Sequence, residues 1–263
     1  MTTSYEFNIQ LPVRIRRVAV DRSGHWLAQG WHDVWRAPAI SLAYGAAFVV
    51  VSYVLTLGLF NAGLPSLILP LAGGFVLIAP ILVIGLYEVS RRLDSGEPIT
   101  FGAIWTKVWS RSHEIGSISI IMLLFLFVWT TIAVILFALF YHQGLPMGSF
   151  QELVLEMLLT PRGALFILVG SIMGAVLATG IFTITAISIP MLMERDVDVV
   201  TAIVTSIVAV RRNRRTMFGW AAMIAVITFC SLACFFVPLV VALPTLAFAT
   251  WRAYLDLISP SDT

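Results

Sequence analysis

The sequence predicts an all-α polytopic membrane protein: six transmembrane helices arranged as three repeats, each an interfacial amphipathic helix followed by a transmembrane hairpin. Three observations carry this reading. Of 263 residues, 59% are hydrophobic and only 11% charged, where soluble domains carry about 25% charged residues. Apolar runs of membrane length recur, because a helix rises about 1.5 Å per residue and the hydrocarbon layer is about 30 Å thick. The basic residues collect in alternate connections between those runs, the asymmetry that sets membrane orientation.

The N-terminal segment, residues 1–23, is polar and basic. The first 38 residues lack the apolar core of a cleavable signal, so the first span is expected to remain as an anchor. The stretch "GHWLAQGWHDVWRAP" follows. At 100° per residue Trp26, Leu27, Gly30, Trp31, Val34 and Trp35 share one face, with His25, His32, Asp33 and Arg36 opposite. Tryptophan beside apolar residues with basic neighbours suits a helix lying at the membrane surface. A first hairpin of spans at 39–60 and 67–89 comes next.

The second unit opens with "FGAIWTKVWSR", whose Phe101, Ile104, Trp105, Val108 and Trp109 form one arc. Spans at 115–141 and 163–191 follow. The third opens with "DVVTAIVTSIVAVRRNRR", a broader apolar arc ending in arginines, and continues in spans at 217–236 and 239–257. The last 41 residues of apolar chain are about twice a bilayer in length, so a tight reversal is expected between Phe235 and Pro238. Residues 24–257 form a single membrane domain and 258–263 a short tail. With six spans, both termini and every basic residue except Arg162 fall on one side, which the positive-inside rule makes cytoplasmic.

The second helices of two units agree in detail. "PILVIGLYEVSRRL" from Pro80 and "PTLAFATWRAYLDL" from Pro244 share the proline, Leu82 with Leu246, Tyr87 with Trp251, and Leu93 with Leu257; Pro190 in "ISIPMLMERD" is a shorter echo. After the aromatic stands Glu88 in one copy and Arg252 in the other. An ion pair at the cytoplasmic lip between Glu88 and Arg252 is therefore expected, with Arg91 and Arg92 as the local alternative partners of Glu88.

The segments "GWHDVWRAPAISLAYG", "GLYEVSRRLDSGEP" and "LPTLAFATWRAYLDL" resemble the domain-of-unknown-function 2189 family of bacterial predicted integral membrane proteins. The resemblance runs over nearly the whole chain and departs at Phe248, where the family pattern leads one to expect a histidine. It implies a polytopic architecture and a bacterial inner-membrane address, and no activity.

Ionisable groups deep inside spans mark ion or proton paths. Here Glu88, Glu114, Glu194 and Arg252 all sit near the lips, where long side chains reach water. No catalytic, cofactor-binding or metal-ligating residue is assigned: His25, His32, His113 and His142 lack a zinc-type spacing, and Cys230 and Cys234, four apart on one helix, read as packing thiols. Gly170, Gly174 and Ala178 recur every four residues and are expected to let helices approach closely. Arg211, Arg212, Arg214 and Arg215 fix orientation and could hold anionic lipid headgroups. Interfacial anchors are expected at Trp26, Trp31, Trp35, Trp105, Trp109 and Trp251. The expected partners are the lipid bilayer and either another membrane protein or a second copy of the chain, not nucleic acid. The chemistry points to a non-catalytic membrane subunit with an accessory, assembly or scaffolding role. Rival readings are a permease for a neutral or amphipathic solute and a lipid-related membrane enzyme.

Overall fold

Three stretches of chain are buried on all sides, and the bundle is built around them: residues 84–90, 185–193 and 243–249. A computed structural model describes residues 13–64, 67–141 and 150–260. In chain order the elements are β1 (Val13–Ile15), α1 (Arg22–Arg36), α2 (Pro38–Asn61), α3 (Ile68–Leu82), α4 (Ile84–Ser95), α5 (Phe101–Ser110), α6 (Ser112–Phe140), α7 (Phe150–Leu159), α8 (Pro161–Glu194), α9 (Val199–Arg212), α10 (Arg214–Ala233), α11 (Leu239–Leu257) and β2 (Ile258–Pro260). Helices α4, α8 and α11 carry the buried stretches and pack on one another at the centre. Around them stand α2 against α11, α6 against α3 and α8, and α10 against α11. The short helices each lie on a central helix: α5 on α4, α9 on α8 and α1 on α11.

Local chemistry sets the boundaries. Thr100, Thr160 and Asp198 cap α5, α8 and α9 by accepting from the third backbone N–H beyond them, which satisfies one of the donors a helix start leaves free. Gly96 ends α4 at φ 69°, a left-handed cap that glycine adopts without steric cost. Between α3 and α4 the ladder slips at Val83: Leu86 N–H donates to the Val83 carbonyl. The Leu82 carbonyl is thereby released and accepts from the Tyr44 hydroxyl of α2. In α8 the Ser206 hydroxyl of α9 steps into the ladder, donating to Thr183 O at 2.8 Å and accepting from Ile187 N at 3.2 Å.

Among the described residues, five helical stretches are long and apolar enough to cross a membrane: Pro38–Asn61, Pro70–Ser95, Ser112–Phe140, Pro161–Glu194 and Arg214–Ala233. Six were expected, and α11 is the one that falls short. Its residues match the expected sixth span, but Arg252, Asp256 and Pro244 dilute its apolar content, and it is the most enclosed helix of the bundle. The expected reversal before it is present, with Phe235 and Phe236 at φ 55° and 65°. Two non-glycine residues in this region cost about 1–2 kcal/mol each. The Tyr53 hydroxyl holds the turn by donating to Phe235 O at 2.7 Å. Helix α7 and strands β1 and β2 have no counterpart in the sequence reading. The strands pair antiparallel, Val13 with Pro260 and Ile15 with Ile258, so the two terminal segments meet at one end of the bundle, here termed the basal end.

Candidate functional site: a polar collar over an apolar cavity

The last two turns of α11 carry four polar side chains, and each reaches another element. The Arg252 guanidinium donates to Asp33 of α1 at 2.5 and 2.8 Å and pairs with Asp94 of α4 at 2.8 Å. The Trp251 indole N–H points at Asp94, 3.4 Å away. Tyr254 donates its hydroxyl proton to Glu194 of α8 and accepts from Arg195 at 3.0 Å. Asp256 accepts from Arg22 at 2.7 Å and from the Trp26 indole at 2.9 Å. Asp256 in turn raises the affinity of Arg22 for its proton through that bond and its charge. Asp33 is 2% exposed and also accepts from Arg36 at 3.1 Å. Burying that carboxylate is tolerable only because two guanidinium groups surround it.

A second knot closes on itself within α4. Glu88, fully buried, accepts from Arg91 at 2.8 and 2.9 Å and from Arg92 at 2.6 Å. Arg91 also holds Glu97 at 2.8 Å through both oxygens. The Arg91 bond, assisted by Ser95, lowers the Glu97 carboxyl to about 2. Elsewhere at the basal end, the Asn213 side chain accepts from Val18 N at 2.9 Å and donates to Arg16 O at 2.9 Å. Thus the turn between α9 and α10 is tied to the N-terminal segment.

Beneath the collar lies a partly open cavity of about 150 Å³ between α2, α3, α10 and α11. Its wall is formed by Phe48, Phe75, Ile224, Leu239 and Leu246, with Tyr87 and Thr250 at the collar end and Phe236 at the other. The hydroxyls of Ser52 and Thr250 on this wall donate to their own helices, at Phe48 O and Leu246 O.

Several expectations are corrected by this geometry. Glu88 and Arg252 do not pair: Glu88 is claimed by Arg91 and Arg92, and Arg252 by Asp33 and Asp94. Trp26 and Trp251 are not surface anchors, being 0% and 1% exposed. Trp26 stacks edge-on against Trp220 at 6.1 Å, because α1 turns Trp26, Gly30 and Val34 toward the bundle. Trp31, Trp35, Trp105 and Trp109 are the exposed ones. Of the small-residue stripe, Ala178 is exposed, Gly170 is only loosely approached by Leu136, and Gly174 meets the Trp129 ring; no backbone closes on them. Against α11 the close approaches occur at Gly30 and Gly45, where an added Cβ would lie 2.6 Å from Ala249 N and 2.6 Å from the Val240 carbonyl carbon, and Gly163 meets the α7 backbone as closely, at 2.5 Å from Glu156 O. Cys230 on α10 and Cys234 just past its end are exposed rather than packed.

Arg211, Arg212, Arg214 and Arg215 are exposed around the α9–α10 turn. His25, His32 and His113 are exposed on the surface, and His142 lies outside the described residues. Among the described residues no three metal-ligating side chains gather. Phe248, at the family's expected histidine position, is fully buried.

A bundle of long apolar helices with most of its charges gathered at one end defines a polytopic helical integral membrane protein. Residues 68–194 match the family model described as predicted integral membrane protein (DUF2189). That is the family the resemblance indicates, and the matched stretch runs from the start of α3 to the end of α8, a little under half of the chain. The resembling segments in α1–α2 and α11 lie outside it. No curated protein and no solved structure matches the chain.

Proposed function

We propose that this is a non-catalytic six-span protein of a bacterial inner membrane, an accessory, assembly or scaffolding subunit that acts by association. The observation that carries the reading is how the buried charge is used. Buried Asp33, together with the exposed Asp94, holds Arg252 in a collar that joins α1, α4 and α11, and buried Glu88 is held by Arg91 and Arg92 of its own helix. Groups committed to structural pairs are poorly placed to bind and release protons or substrate.

The sixth crossing is α11, about 28 Å long at 1.5 Å per residue. Pairing of β1 with β2 supports it, because termini that meet on one side require an even number of crossings. The basal end carries the basic connections and is assigned to the cytoplasm. With α3 and α4 taken as one broken span and α7 as an insertion between α6 and α8, the order of a short helix then two long ones recurs three times and supports the repeat. In each case the short helix rests on a second span of another unit, so the units interlock cyclically. Purification in mild detergent tests the function: stoichiometric partner subunits are expected. A lone monodisperse protein stabilised by a single metabolite would overturn it in favour of the second reading, a permease for an amphipathic solute, which the cavity favours. A lipid-related enzyme is the third.

A further inference from the structure

The cavity has the length and chemistry of a half-open groove along which one hydrocarbon chain can lie. Along α11 its wall runs from Leu239 to Thr250, about 16 Å at 1.5 Å per residue. Half of the hydrocarbon layer is about 15 Å, so the depth equals that of one leaflet, the leaflet remote from the collar. The wall is mostly aromatic and aliphatic; four lining residues carry hydroxyls, Ser52, Tyr87, Thr228 and Thr250, and those of Ser52 and Thr250 donate to their own backbones. Water needs two to four polar partners in such a place and would find few; apolar cavities of this size stay dry and accept apolar guests.

The cavity is partly open, and at its far end the lining residue Phe236 stands between Phe235 and Val237, both exposed. The inner end is stopped by Tyr87 and Thr250, each adjoining a collar residue, Glu88 and Trp251. A guest can therefore enter from the bilayer at the far end and advance no further than the collar. We propose that the cavity between the first and last hairpins binds a single acyl chain of a bilayer phospholipid, drawn from the leaflet opposite the collar.

The test uses the full-length protein in a phospholipid bilayer doped with a lipid carrying a photoactivatable carbene precursor at the end of one chain. After photolysis, labelling on Tyr87 and residues 243–250 is expected to exceed that on the exposed α6 residues Leu123, Leu124 and Phe127. Ala247→Phe and Val76→Phe each fill the cavity from a different wall. In either variant α11 labelling should fall about tenfold, equivalent to about 1.4 kcal/mol of lost affinity, with α6 labelling unchanged. Native mass spectrometry should find one retained phospholipid on the wild type and none on the variants. Wild-type labelling of α11 no higher than that of α6 overturns the proposal, whether or not the variants fold. So does labelling that persists in a folded variant, or a retained adduct whose mass is not that of a phospholipid.

Discussion

Arg252 shows what a single residue's position in the sequence reveals and what it hides. Its place at the lip of the last apolar run is evident from the run itself, but its partner is not. Asp33 lies on the face of α1 that periodicity assigns to water, and it is buried because α1 packs on α11 through Gly30, rotating that edge inward. The sequence signal was Gly30, a residue without a side chain on the otherwise bulky apolar face. Removing one member of a buried pair strands the other at about 3–5 kcal/mol. Arg252→Gln and Asp33→Asn should therefore each lower thermal stability in detergent by about that amount. The double change should cost clearly less than the sum. The Glu88→Gln and Arg252→Gln pair, in contrast, should be additive, since those residues share no partner.

Glu97 gives a prediction with a defined pH window. Its folded carboxyl titrates at about 2, against an ordinary value of 4.5, so its link to Arg91 is fully present above 4.5 and is lost as pH falls toward 2. The difference in melting temperature between the wild type and Glu97→Gln should be constant from neutral pH to about 4.5. It should then shrink and vanish near 2.

For whole helices, the apolar runs located the five candidate spans to within about six residues at either end, since length and hydropathy are properties of each helix alone. Their contacts were less accessible. The stripe Gly170, Gly174 and Ala178 permits a close neighbour, but permission does not supply one: α6 meets it with the bulky Trp129 side chain. Isolated Gly30 and Gly45 carry the tight crossings with no periodic signature. Gly30→Leu and Gly45→Leu should thus destabilise by at least about 1–3 kcal/mol, the usual range for overpacking. Gly170→Leu should be nearly neutral. Thermal denaturation of the three variants in one detergent decides between the two sets of crossings.

For the molecule as a whole, composition gave the class, and basic asymmetry gives only an expected side for the termini. The central triad of α4, α8 and α11 was not legible, because helices buried on every face and helices bathed in lipid are equally apolar. A topology reporter fused after Asn61 or within 144–160 should read periplasmic. Fusions at 94–98 or 212 should read cytoplasmic, and so should reporters at both termini. Opposite readings at the two termini would leave α11 short of crossing and reduce the count to five.

The pairing of Val13–Ile15 with Ile258–Pro260 means that Val13 and Pro260 are neighbours, and a covalent link between these two positions would ask for no rearrangement. If the three units interlock cyclically, none is intrinsically first. A circular permutant that joins Pro260 to Val13 by a short flexible linker and opens between Asp196 and Val197, beside a side chain that is 94% exposed, should insert and fold. Its digestion pattern and melting temperature should be near those of the parent. The succession of the hairpins would then be an accident of where translation begins, and the closed arrangement itself the conserved object.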